Sequence, residues 1–166
     1  MGYSTDNRKW AASECRLKLT SATWDCGWLP ETRSAMKAWT NAGAQFKFVE
    51  DASASNDLGS YDLGRWNGWL AMTYTRPQPQ GSSLVSAQIL LNLYYEWDPA
   101  HPSVPHTDSG GRYDLETVLT HELGHVLHLD DDSQQSANTV MCPTIKPVSR
   151  RQIAADDIAG IKYLYP

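Results

Sequence analysis

The chain has 166 residues, enough for one domain with a proper core, and its 41% hydrophobic and 20% charged residues are ordinary for a globular protein. A net charge of −5 argues against a nucleic-acid partner. No Lys/Arg run points to an anionic membrane, and no apolar run reaches the roughly 18 residues of a membrane span. Seven Trp and eight Tyr against two Phe predict half-buried aromatic platforms at the surface.

Residues 1–14 are polar and without periodicity, and read as a loosely attached N-terminal arm of a single domain spanning 1–166. Cys15 to Thr20 alternates like a strand. Cys15 and Cys26 flank a short segment and could bridge, leaving Cys142 over. Pro30-Glu31 opens a helix whose apolar face is Ala35, Met36, Ala38, Trp39 and Ala42, and Gly43 ends it. Gln45 to Val49 is a second strand. Glu50 to Asn67, rich in Asp, Ser, Asn and Gly, reads as a long loop, where Asp51, Asn56, Asp57 and Asp62 are candidate Ca²⁺ ligands.

Trp69 to Thr75 is a third strand, Arg76 to Ser83 a turn, and Ala87 to Tyr95 a fourth strand. In the Pro-rich loop that follows, His101, His106 and Asp108 are candidates for an accessory metal site, although exposed histidines are the plainer reading. Asp114 is a good N-cap for a buried helix carrying Leu115, Val118, Leu119, Leu123, Val126 and Leu127. A last helix is expected from Ser149, with Gln152 completing a capping-box pattern.

The chemistry sits in Thr120 to Asp132, THELGHVLHLDDD. His121 and His125, four apart, share one helix face and can both reach one Zn²⁺, at roughly 2.0–2.1 Å per bond. Glu122 lies about 100° around the helix, where it can hold a water as general base without ligating the metal. Two histidines do not complete a zinc site. His128 is about 10 Å along the axis from His121, too far to share an ion easily, so a residue beyond the helix is better placed. Asp130, Asp131 and Asp132 offer three.

In these residues the sequence resembles the metzincin metalloproteases, whose motif is H-E-x-x-H-x-x-G-x-x-(H/D). The resemblance implies that Asp131 is the third ligand, and that Thr139-Val140-Met141-Cys142-Pro143 is the methionine turn with Met141 beneath the zinc. Asp156 to Tyr165, the helix ending in Ala38-Trp39, and Ile89-Leu90-Leu91-Asn92 followed by Trp97 are similar to the matrixin branch, the matrix-metalloprotease type. Asp131 in place of the commoner histidine is similar to the snapalysin branch. His128 stands where the family has glycine, at a helix break that typically needs positive φ. Either His128 adopts that conformation, or the third ligand shifts among Asp130 to Asp132.

The resemblance implies an α+β zincin fold: a twisted mixed sheet, mostly parallel with one antiparallel edge strand, and about three helices. It implies a zinc endopeptidase, with Gln88 to Leu93 as the upper rim of a cleft that takes a protein or peptide substrate in extended form. It also implies a monomer secreted from the cell, with signal and pro-segment outside this chain. The alternative from another class is a catalytically weak zinc-containing module that binds protein or glycan, supported by the Trp-rich composition.

Overall fold

The computed structural model describes residues 3–19, 28–65, 68–98, 112–132, 138–144 and 150–166. Cys26, His101, His106, Asp108 and Ser149 lie outside them. Among the described residues the order is β1 (Lys9–Trp10), β2 (Glu14–Leu19), α1 (Leu29–Thr40), β3 (Lys47–Glu50), β4 (Asn56–Tyr61), β5 (Ala71–Pro77), β6 (Ser83–Asn92), β7 (Trp97–Asp98), β8 (Tyr113–Asp114), α2 (Leu115–Val126) and α3 (Ala155–Leu164).

Among the described residues six strands form one sheet. Parallel pairing links β3 to β2, β2 to β4 and β4 to β6, and β1 runs parallel to the start of β6. The antiparallel strand β5 pairs with the other edge of β6, from Ala71 opposite Leu91 to Pro77 opposite Leu84. This is the expected α+β fold with a mostly parallel sheet and an antiparallel edge. The two short strands β7 and β8 pair separately.

Alternation sets the buried face. Cys15 and Leu17 on β2, and Leu84, Ala87, Ile89 and Leu91 on β6, are buried while the residues between them are less so. Helix α2 is buried nearly all round, its polar Glu116, Thr117 and Thr120 as well as Leu115, Val118, Leu119, Leu123 and Val126, so it runs through the core rather than over it. Helix α1 packs on α2, where Trp39 Nε1 donates to Thr120 O at 2.7 Å. No helix among the described residues is long and apolar enough to cross a membrane.

The structure corrects several expectations. The N-terminal arm is not loose. Trp10 is buried and its indole N–H donates to Val126 O at 2.8 Å, while Asp130 N–H donates to Ser4 O at 2.8 Å. The segment read as one long loop holds β4, a strand between β2 and β6. Its polar residues hide it, yet its position supplies what they lack: Leu58 is fully buried, and the Asn56 amide donates to Arg16 O while its side-chain oxygen accepts from Ala87 N–H. The last helix begins at Ala155, not Ser149. Arg150 N–H is drawn to Thr117 Oγ1 at 2.8 Å, which keeps that stretch against α2, and Asp157 Oδ2 caps the helix by accepting from Ala154 N–H at 2.8 Å.

Candidate active site

Helix α2 starts at the expected cap, with Asp114 accepting from Thr117 N–H at 3.1 Å, and carries His121, Glu122 and His125 near its end. It then stops in a Schellman arrangement: His128 N–H donates to His125 O at 2.9 Å, and Leu129 N–H to Gly124 O at 3.0 Å. The residue that must turn left-handed there is His128, at φ +71°. Thus the histidine occupies the glycine position and adopts the glycine conformation. Its Nδ1 lies 2.9 Å from Asp6 Oδ1, and its carbonyl accepts from Thr5 Oγ1, so the N-terminal arm braces the turn.

The turn brings Asp131 back to the histidines. His121 Nε2 and His125 Nε2 are 3.0 Å apart, and Asp131 Oδ1 lies 3.5 Å from the first and 3.6 Å from the second. Among the described residues this is the group of three His, Cys, Asp or Glu side chains whose ligand atoms converge. The other two aspartates point elsewhere. Asp130 is exposed beside Ser4, and buried Asp132 accepts from Thr139 Oγ1 at 3.0 Å. His128 is turned toward Asp6 instead. Asp51, Asp57 and Asp62 do not converge into a cluster of their own, and Asn56 is committed to the sheet.

The donor set suits a cation. His121 Nδ1 sits 2.9 Å from Val140 O and His125 Nδ1 sits 2.8 Å from Leu129 O. A carbonyl only accepts, so both protons belong on Nδ1 and both Nε2 lone pairs face the same point. Two bare nitrogens and a carboxylate oxygen repel one another unless a cation lies between them. Burial, and then repulsion from His125, lowers His121 to about 3, so it is neutral and able to ligate at pH 7.

Glu122 is buried beside this group. Burial is the largest influence on it and raises its pKa, with the charge of Asp131 adding to the rise. Its Oε2 accepts from Thr73 Oγ1 at 2.6 Å. The turn that holds Met141, which is buried, runs beside His121, whose Nδ1 lies against Val140 O. Asp157 anchors that turn, with Oδ2 accepting from Val140 N–H at 2.9 Å and Oδ1 from Met141 N–H at 3.3 Å.

The group opens into a cleft of about 810 Å³. Strand β5 lines it, from Trp69 and Leu70 at the entry to the strand through Thr75, together with Tyr113, Val140 and Pro143. The rim expected at Gln88 to Leu93 is therefore corrected. Gln88 to Asn92 belong to β6, which is covered by β4 on one edge and β5 on the other. Thr73, Asp157 and the carbonyls of Val140 and Leu129 escaped the sequence reading, because each is a contact between distant or main-chain groups without a motif. Cys15 and Cys142 are buried free thiols, so Cys15 does not form the bridge considered for it.

Comparison with known proteins gives a family and partial relatives. The model of the family described as matrixin matches residues 9–166. Over 53 residues the chain is 47% identical to metalloendoproteinase 1-MMP of Arabidopsis thaliana, covering 31% of this chain and 14% of that protein. Over 54 residues it is 46% identical to metalloendoproteinase 1 of Glycine max, covering 32% of this chain and 17% of that protein. The matched stretch thus spans well under a fifth of either relative's length.

Proposed function

The chain belongs to the matrixin family, and on that premise we propose that it is a zinc-dependent endopeptidase acting on protein or peptide substrates bound in extended form. The observation that carries this reading is the convergence of His121 Nε2, His125 Nε2 and Asp131 Oδ1 beside a buried carboxylate on an open cleft. A structural zinc site has no use for such a carboxylate; a hydrolytic one needs it. The relatives' names, metalloendoproteinases, agree with this.

His121, His125 and Asp131 are the residues that would hold the zinc. When bound, it supplies a Lewis acid that polarises the scissile carbonyl and acidifies water. Glu122 takes the water's proton onto its carboxylate as the oxygen attacks, and returns it to the leaving amine nitrogen. Burial suits it to this task by making the carboxylate more basic than in water. His121 and His125 keep their ligating tautomer through the carbonyls of Val140 and Leu129. Met141 forms the floor under them.

Substrate binding follows from the edge strand. Among the described residues β5 is paired on one side only, by β6, and it lines the cleft. An extended peptide can add along its free edge, with main-chain hydrogen bonds for affinity and side-chain pockets for specificity. A monomer outside the cell belongs to this proposal on the family's account alone, and calcium as a second cation on the side-chain oxygens that Asp51, Asp57 and Asp62 offer.

Digestion of a fluorogenic peptide library, with and without a zinc chelator, tests the reading. Cleavage that the chelator abolishes is expected. Tight peptide or glycan binding without any cleavage would favour the binding-module alternative.

A further inference from the structure

Thr73 sits midway along β5, in register with fully buried Ile89 on β6. That pairing, on a strand packed against α2, fixes where its side chain can reach. Its Oγ1 lies 2.6 Å from Glu122 Oε2 and 3.2 Å from the carbonyl of the same residue. The single hydroxyl proton goes to the carboxylate oxygen, the nearer acceptor, with the main-chain carbonyl of Glu122 beside it. Being β-branched, threonine has few χ1 choices and holds its hydroxyl in place.

From this geometry we infer that Thr73 is a positioning residue for the reaction, one that fixes the Glu122 carboxylate in the orientation needed to take a proton from water. This rests on the assignment of Glu122 as general base proposed above. A carboxylate on a two-carbon stem has several rotamers, and most would aim it away from His121 and His125. A short hydrogen bond to an ionised oxygen is stronger than a neutral one, and tying Oε2 to the sheet leaves Oε1 for the proton. The strand that offers its edge to the substrate thus also holds the base, so peptide and base share one rigid support.

A hydroxyl that merely tied β5 to α2 would affect stability and substrate affinity; one that aims the base affects turnover. The test measures kcat, KM, zinc content and Tm for the zinc-loaded wild type, Thr73→Val, Thr73→Ser and Glu122→Ala, on a peptide that the wild type cleaves. Valine keeps the shape and removes the donor. Its kcat is expected to fall about 10- to 100-fold, the range for losing a hydrogen bond to a charged group, with KM within about twofold and zinc retained. Serine keeps the donor and is expected to restore kcat to within about threefold of wild type. A Val variant with wild-type kcat, an equal loss in Val and Ser, or a change confined to KM or Tm would overturn the role of Thr73. If Glu122→Ala is inactive in the same assay, the general-base reading survives that loss. If Glu122→Ala still cleaves as the wild type does, both fall together.

Discussion

Gly124 and Met141 are in a contact that no side chain at position 124 could share: a Cβ there would lie 2.2 Å from Met141 Sδ and 3.0 Å from Trp39 Cζ2. The helix that carries the histidines thus rests directly on the methionine turn. The glycine of HELGH is a packing requirement, not a flexible joint.

Gly124→Ala is therefore expected to destabilise the protein, although alanine is the better helix former. Overpacking costs about 1–3 kcal/mol and outweighs the ~1 kcal/mol gain in propensity at the upper end of that range. At about 2–4 °C per kcal/mol for a chain of this size, calorimetry should show Tm lower by several degrees. Adding Met141→Ala should recover part of the loss. A Gly124→Ala variant as stable as the wild type would mean that the turn yields more easily than its packing suggests.

His128 at φ +71° gives a second expectation. A non-glycine residue there costs about 1–2 kcal/mol, offset in part by the contact with Asp6, which is half exposed and worth under about 1 kcal/mol. His128→Gly should change stability by less than about 1 kcal/mol, and His128→Val should lower it by about 1–2 kcal/mol, since a β-branched residue suits that conformation worst. Denaturant melts measure both. Zinc should stay bound in each, and its loss from the glycine variant would make His128 a ligand.

The aspartates separate cleanly. Asp131→Ala should lose zinc to a chelator far more readily than Asp130→Ala, because only Asp131 faces both Nε2 atoms. Asp132→Ala should keep the metal yet melt earlier, having lost a buried acceptor for Thr139. Equal zinc retention by all three variants, read by metal analysis after dialysis, would contradict the assignment of Asp131.

The buried thiol of Cys15 is pushed up to about 12 by desolvation. The thiolate is the reactive form, and a raised pKa keeps it scarce until the pH approaches that value. At pH 8, alkylation of the native protein should spare Cys15, and denaturant without reductant should expose it; peptide mapping by mass spectrometry reads both. Labelling that also required a reductant would restore the bridge to Cys26.

What could be read from the sequence was the chemistry that lies close along the chain. His121, Glu122 and His125 are set by helix spacing, and the turn at His128 by the position of a missing glycine. The edges of order were harder. Strand β4 is Asn-Asp-Leu-Gly-Ser-Tyr, with one buried apolar anchor, and becomes a strand because β2 and β6 flank it. The pattern at Ser149 and Gln152 imitates a helix start, but the cap that operates is Asp157, three residues beyond the unpatterned Ala154. Thr73 reaches Glu122 across 49 positions, and Asp157 reaches Val140 across 17. Neither pairing has a local signature, since only the packing of β5 against α2, and of α3 against the turn that holds Met141, creates it.

In the proposed mechanism Glu122 acts on water while His121, His125 and Asp131 hold the metal. Zinc content and peptide hydrolysis measured on the same sample of Glu122→Ala test it most directly. About one zinc per chain is expected, as in the wild type, with hydrolysis reduced by about 10²- to 10⁴-fold. Undiminished hydrolysis in a variant that retains its zinc would contradict it.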